Sequence, residues 1–310
     1  MLKSLLPIAT CAWLGACAAS APAAESPARH VAAAEAATGS IRWIGGPTAL
    51  LERGGLRVLT DPMLGPRGPH AFVLPKHPST GAPDASITRY TAPAAFDTEA
   101  LDAILISHTH ADHVDASAKQ RLPKDRPLVV AAAGAEAMRA AGFSDVRPLD
   151  WGQELTLQAR GTSLRVLAVP AHHSHDPEVD IEVGKGNGYV LEWRDARGLL
   201  RVYWTGDAVV ADESKDFVAR YGEVDVLLPH LGGVGGDGPR GLRTMNAEET
   251  VELVQRIQPA WVVPIHHTTF GHYREPIEAL RERAAESGQA SRFRFLQLGE
   301  SVPLPAPRDG

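Results

Sequence analysis

The stretch Ile104-Leu-Ile-Ser-His108-Thr-His110-Ala-Asp112-His113 constrains this chain more than any other. Ala103 to Ile106 is an apolar run that reads as a buried strand, and three histidines and an aspartate follow it within six positions. Imidazole nitrogen and carboxylate oxygen are the ligands that borderline metals such as zinc favour. Alternate residues of an extended backbone face the same way. His108 and His110 can therefore address one point, leaving Asp112 and His113 to address a second. One short loop could supply two ligands to each of two metals. A lone His-x-His is weak evidence, whereas His-x-His-x-Asp-His directly after a hydrophobic strand is specific.

Other apolar runs end in the same way. Leu164 to Val169 runs into Pro170-Ala-His172-His173-Ser-His175, where any of the three histidines could complete a metal site. Leu199 to Trp204 ends in Thr205-Gly206-Asp207; a carboxylate there offers two oxygens, and glycine lets the backbone approach closely. Val224 to Pro229 ends at His230 and a glycine-rich loop, Gly232 to Gly236, which can cradle an anion but is no P-loop, because no Gly-Lys-Ser/Thr follows. His230 is a candidate for substrate contact. Trp261 to Ile265 leads into His266-His267-Thr-Thr-Phe270, and Leu56 to Thr60 into Asp61-Pro62, where Asp61 suits a residue that orients a ligand imidazole from behind.

His108-Thr-His-Ala-Asp-His113 resembles the signature of the metallo-β-lactamase-fold hydrolases, and the likeness runs from about Ile41 to Leu298. Thr60-Asp-Pro62 and Pro264-Ile-His-His-Thr-Thr-Phe270 are similar to the branch holding N-acylethanolamine phospholipase D-type enzymes and ascorbate-6-phosphate lactonases. The resemblance implies an α/β fold, the four-layer αββα sandwich, with a metal centre at the edge of its two sheets. It selects His173 among its neighbours, and His266. It implies that His108, His110 and His173 hold one metal, that Asp112, His113 and His266 hold the other, and that Asp207 bridges them. Asp112 and Asp207 are then the catalytic carboxylates. The implied cofactors are two divalent ions, Zn2+ first, with Mn2+ or Fe2+ as alternatives. Two such ions lower the pKa of a shared water toward about 7 and supply hydroxide at neutral pH. The chain departs from zinc β-lactamases that use a cysteine ligand, since its only cysteines are Cys11 and Cys17. It departs from flavodiiron proteins too, whose motif has glutamate where His110 stands.

The N-terminus predicts export. Lys3 precedes an apolar run from Leu5 to Ala16, too short to span a bilayer and shaped like a signal-peptide core. It ends in Leu14-Gly-Ala-Cys17, which resembles a bacterial lipobox. Residues 1–17 are thus expected to be a signal peptide ending at a lipidated Cys17, with ordinary cleavage to a soluble periplasmic protein as the alternative. Residues 18–38, rich in alanine with Pro22 and Pro27, predict a tether with at most a short helix around His30 to Ala37. Residues 39–310 are expected to form the hydrolase domain that the resemblance implies.

Secondary-structure expectations complete the domain. Gly65 to Ala95, rich in proline and glycine, predicts a long loop that could roof the site with His70, Phe72 or His77. Asn246-Ala-Glu-Glu249 predicts a capped helix, Glu275 to Glu286 another, and Phe293 to Leu298 a closing strand. A net charge of −6 without a basic block disfavours nucleic acid as a partner. The expected partners are a small-molecule or lipid-like substrate, and the membrane through Cys17. The function expected is hydrolysis of an ester-type bond, phosphodiester or lactone foremost. The alternatives are β-lactam hydrolysis and a non-catalytic metal-binding lipoprotein.

Overall fold

A computed structural model describes residues 39–74, 83–236, 238 and 240–306. The expected tether, the cleavage site, His77 and the possible helix near His30 lie outside the described residues.

Each half of the domain opens with hairpins and closes with parallel strands. In the first half, β1 (Ser40–Gly45), β2 (Thr48–Arg53) and β3 (Leu56–Thr60) form an antiparallel meander. Strands β6 (Ala103–Ile106), β7 (Leu128–Ala131) and β8 (Val146–Leu149) then add in parallel beside β3. In the second half, β9 (Glu154–Ala159), β10 (Thr162–Ala171), β11 (Gly186–Asp195) and β12 (Gly198–Trp204) are antiparallel. The parallel pair β13 (Val226–Leu228) and β14 (Trp261–Val262) follows. The sheets run β15-β1-β2-β3-β6-β7-β8 and β14-β13-β12-β11-β10-β9, where β15 is Ser301–Pro303.

Side-chain alternation assigns the layers. Ala103 and Leu105 of β6 join Leu164, Val166 and Ala168 of β10 in the core between the sheets. Ile104 and Ile106 face the other way, onto α1 (Ala116–Arg121) and α2 (Ala135–Ala140), in a core with Ala118 and Met138. Leu167 and Val169 likewise face outward, onto α5 (Ala247–Ile257) and α6 (Ile277–Glu286), through Val251, Val254 and Leu280. Burial on both faces is why these strands read as continuous apolar runs rather than alternating ones. The layer order is helix, sheet, sheet, helix, the αββα architecture expected. Two short helices, α3 (Pro177–Val183) and α4 (Phe217–Tyr221), sit in the connections of the second half.

The two sheets are tied together at the edge where β6, β10 and β12 end. The Asn187 N–H at the start of β11 donates to the Ser107 carbonyl (3.0 Å), and the Tyr189 hydroxyl donates to the Ile106 carbonyl (3.0 Å). This edge receives every histidine and aspartate motif named above.

Three expectations need correction. Gly65 to Ala95 is not all loop: β4 (Gly68–Leu74) and β5 (Ala85–Arg89) form a hairpin. Phe72 and Ile87 pack with Met63 and Phe270 in a small separate core, and so few inward residues leave no visible period in the sequence. Phe293 to Leu298 is not a strand; Phe293 makes only an isolated bridge to Val262. A turn at Gly299–Glu300, whose N–H groups bond to Trp43 and Gln297, redirects the chain so that β15 closes the first sheet. The α5 cap forms only in part. Asn246 accepts from the Glu249 N–H (2.9 Å), but the Glu249 carboxylate turns toward His175 and the Val210 N–H; Glu275 takes the Ala247 N–H (2.6 Å) instead.

Candidate metal centre

Six strand ends build the site. β3 brings Asp61, β6 brings His108 to His113, β10 His173, β12 Asp207, β13 His230, and the segment after β14 His266. Among the described residues, the side chains fall into three groups of close potential ligand atoms. These are His108, His110 and His173; His113, Asp207, His230 and His266; and Asp112, His266 and His272.

The first group contains rings in mutual contact. The His108 centroid lies 4.3 Å from His110 and 4.7 Å from His173. His108 Nδ1 is held by the Ser107 hydroxyl (2.9 Å), while its Nε2 is buried with no protein partner. Both ring nitrogens of buried His173 also lack partners. His110 is half-buried, with Nε2 3.0 Å from the Val183 carbonyl at the end of α3. Burial, with the neighbouring imidazoles, pushes the His108 pKa well below its ordinary value; burial takes His173 down to about 4. Neutral imidazoles with free lone pairs are what a metal requires.

The second group is organised by carboxylates. Asp61, wholly buried, accepts from the Ser107 N–H (2.7 Å), the Ser107 hydroxyl (2.6 Å) and His113 Nδ1 (2.7 Å). This directs His113 Nε2 toward Asp207 Oδ2 (3.1 Å) and Asp112 Oδ2 (3.8 Å). Burial opposes charge on His113, yet Asp207, Asp112 and Asp61 together hold its pKa well above the usual histidine range. Burial likewise opposes ionisation of Asp112 and Asp207, but His113 and the other imidazoles keep both pKa values well below the carboxylate range. The whole constellation favours positive charge at its centre.

His266 takes a left-handed backbone conformation, φ 61°, after the apolar run. Its N–H donates to the Gly46 carbonyl and its Nδ1 to the Leu231 carbonyl (2.9 Å), so Nε2 is buried without a protein donor. That atom stands 3.5 Å from Asp207 Oδ1 and 3.8 Å from Asp112 Oδ2. His267, next in the chain, stacks on Trp43 instead (4.5 Å). His172 bonds through Nδ1 to Asp180 (2.7 Å) and His175 to Glu249. Of the three neighbouring histidines, His173 is thus the one that meets His108 and His110.

His230, expected to contact substrate, is wholly buried with its ring turned to Asp207 and Trp204 instead. Trp204 Nε1 donates to its Nε2 (2.8 Å), which fixes the proton on Nδ1, and Nδ1 donates to Asp207 Oδ1 (2.8 Å). Neither nitrogen is left for a metal, so His230 orients Asp207 rather than competing with it. His272 and Tyr273 escaped the sequence reading. His272 Nε2 contacts Asp112 Oδ2 (3.1 Å), and Tyr273 packs on His266 with its centroid 4.6 Å away. Neither follows an apolar run, and only the hairpin-backed turn after Phe270 delivers them. His70 is exposed and bonds to Ser86, away from the centre. Phe72 lies edge-on to His272 (5.3 Å).

The donor set fits divalent metal: three histidines at one point, two histidines and an aspartate at another, and Asp207 beside the second with its oxygens facing His113 and His266. The unpartnered buried nitrogens of His108, His173 and His266 are the strongest sign, since buried polar atoms are otherwise hydrogen-bonded.

The comparisons agree with this geometry. The "Beta-lactamase superfamily domain" family matches residues 56–267. A "UPF0173 metal-dependent hydrolase" of Archaeoglobus fulgidus is 26% identical over 265 residues, covering 84% of this chain and 97% of that one. "N-acyl-phosphatidylethanolamine-hydrolyzing phospholipase D 1" of Caenorhabditis elegans is 25% identical over 280 residues, 83% of this chain and 74% of that one. The crystal structure of an isothiocyanate hydrolase from Delia radicum gut bacteria aligns with TM-score 0.69 at 22% identity, over 85% and 98% of the two chains. The chain belongs to the metallo-β-lactamase-fold superfamily. Within it, the protein is a metal-dependent hydrolase by family.

Proposed function

We propose that this protein is an exported hydrolase with two divalent ions, zinc foremost and Mn2+ or Fe2+ as alternatives, that cleaves an ester-type bond. His108, His110 and His173 hold one ion; Asp112, His113 and His266 hold the other; Asp207 serves both. The observation that carries this reading is a set of buried nitrogens without protein partners at two points, those of His108 and His173 grouped with His110, and that of His266 beside the carboxylates of Asp112 and Asp207. Such a pair of ions, when bound, supplies hydroxide at neutral pH and Lewis acidity toward a carbonyl or phosphoryl oxygen. The chain's own groups set the geometry. Asp61 fixes the His113 tautomer, His230 holds Asp207, and Asp112 would both hold an ion and orient the nucleophile.

A phosphodiester or lactone is the favoured substrate. The phosphodiesterase named among the relatives supports the first, and the motif likeness at Asp61 and His266 supports both. The N-terminal sequence supports export to a bacterial periplasm with a lipid on Cys17, which would present the site to small or lipid-like substrates at a membrane. Among the described residues no helix is long and apolar enough to cross a membrane.

Elemental analysis of purified protein, followed by bis(p-nitrophenyl) phosphate, a lactone panel and a chromogenic cephalosporin, tests the proposal. Two equivalents of metal with phosphodiester or lactone turnover is the expected result. Turnover of the cephalosporin alone would select β-lactam hydrolysis. Protein that takes up metal fully but turns over nothing would leave the non-catalytic metal-binding lipoprotein. Failure to take up metal on zinc loading would refute the centre itself.

A further inference from the structure

Tyr273 holds its ring in place firmly while its hydroxyl has nothing to bond. The ring lies 4.6 Å from His266 and 4.5 Å from His272, with Phe270 edge-on at 5.8 Å. Gly232 closes the remaining side. A Cβ at Gly232 would stand 2.8 Å from Tyr273 Cδ1, and its φ of 98° further restricts the position to glycine. The Arg274 and Glu275 N–H groups both bond to the Gly232 carbonyl (2.7 and 3.2 Å), locking the two segments together. Yet the Tyr273 hydroxyl is buried and has no hydrogen-bond partner, although Asp112 and Asp207 are close enough to act on it electrostatically.

An unsatisfied buried hydroxyl is destabilising, a cost that phenylalanine would avoid. Packing alone therefore gives no reason for a tyrosine. We infer that Tyr273 is a catalytic residue, whose hydroxyl donates a hydrogen bond to the substrate oxygen on which negative charge develops. Its ring, clamped by His266, His272 and Gly232, needs no reorganisation to do so. A phenol keeps its proton at neutral pH and so remains a donor. This inference rests on the hydrolase reading of the same centre.

The test is Tyr273→Phe in the metal-loaded full chain, with three readouts beside the wild type. The expected kcat on the best ester substrate falls about 10²–10³-fold, the loss typical of one oxyanion donor, with KM little changed. Metal content stays at the wild-type value, and the melting temperature is unchanged or higher because an unsatisfied group has gone. Affinity for inorganic phosphate, a tetrahedral oxyanion that needs no turnover to bind, weakens at least about tenfold, equivalent to about 1.4 kcal/mol. Unchanged kcat, or phosphate bound as tightly as by the wild type, overturns the inference while leaving the hydrolase reading intact. Loss of metal from the variant also overturns it, because Tyr273 would then serve His266 rather than substrate. If the wild type turns over no ester but binds phosphate through Tyr273, the hydrolase reading fails and the oxyanion contact stands. If it does neither, both fall.

Discussion

Asp61→Asn is the substitution that most directly separates metal chemistry from packing. Asn is the same size and tolerates the left-handed conformation of residue 61, φ 29°, so the backbone has no reason to move. The hydrogen bonds do change. Asp61 Oδ1 accepts from the Ser107 N–H, and Oδ2 accepts from both the Ser107 hydroxyl and His113 Nδ1. An amide can accept on one side only. With its oxygen at the Oδ2 position, its NH2 opposes the Ser107 N–H, and a buried donor loses its acceptor at a cost of roughly 1–3 kcal/mol. With its oxygen at the Oδ1 position, its NH2 faces His113 Nδ1 and favours the tautomer with the proton on Nε2. That proton would occupy Nε2, the nitrogen that faces Asp207 (3.1 Å) and would otherwise be available to a metal.

Either arrangement weakens the metal held by His113. Loss of such a supporting carboxylate typically lowers metal affinity about 10–100-fold, or roughly 1.4–2.7 kcal/mol. The site of His108, His110 and His173 should be affected less, because Asp61 touches it only through Ser107. Competitive chelator titration of the zinc-loaded variant should therefore show one weakened equivalent and one nearly unchanged. If both equivalents bind as in the wild type while the metal-free protein melts at lower temperature, Asp61 merely ties the ends of β3 and β6 together. The tautomer argument would then be refuted.

Other substitutions probe separate parts of the molecule. Asp207→Asn should lower metal content below two equivalents and abolish most hydrolysis with the fold retained, whereas His172→Ala, whose ring bonds to Asp180, should keep its metals; elemental analysis and circular dichroism of the two variants decide this. Asp195→Asn strands the buried Arg53 guanidinium, which now forms two bonds of 3.1 Å to that carboxylate; it should cost about 3–5 kcal/mol in denaturant unfolding. Burial opposes ionisation of Asp195, but Arg197 and Arg53 depress its pKa below 3.8, so its stabilisation is present above pH about 4 and lost as pH falls further. The wild type should therefore converge on the variant in acid, and a constant difference down to pH 2 would contradict the linkage. Cys17→Ser should release the protein from membranes and remove lipid mass from the mature N-terminus; unchanged fractionation would reject the anchor.

The legible part of this fold was the part that obeys one-dimensional rules. Strands buried on both faces, such as β6 and β10, announce themselves as apolar runs, and a ligand placed directly after such a run is found by position alone. That is why His108 to His113 and Asp207 stand out in the sequence, whereas His173 and His266 are singled out from their neighbouring histidines only by the family resemblance. The hairpin β4–β5 has one packed face of little more than Phe72 and Ile87, so composition hid it. Helix α3 is a different miss, because Asp176-Pro177 carries the N-cap and first-turn proline of a helix start. Yet α3 matters to the site: its Asp180 holds His172 away from the centre and accepts the His173 N–H (2.6 Å), and its Val183 carbonyl meets His110.

What sequence order cannot reveal is which partner each polar atom has already spent. His230 and His266 both follow apolar strands and both stand beside Asp207, and their rings stack 4.9 Å apart. Position does not distinguish them. The difference lies in two distant residues: Trp204 donates to the outer nitrogen of His230, whereas the Leu231 carbonyl takes the Nδ1 proton of His266. The first bond turns a histidine into a donor that holds a carboxylate. The second turns a histidine into a free lone pair. The same logic separates Tyr273 from the other buried tyrosine of the site edge, Tyr189, whose hydroxyl is consumed by the Ile106 carbonyl and Asn187. The Trp193 indole nitrogen, unpartnered inside the apolar core, shows that burial without a partner is not enough; at this sheet edge such atoms stand among other imidazoles and carboxylates, and there the bond is open to something that is not protein.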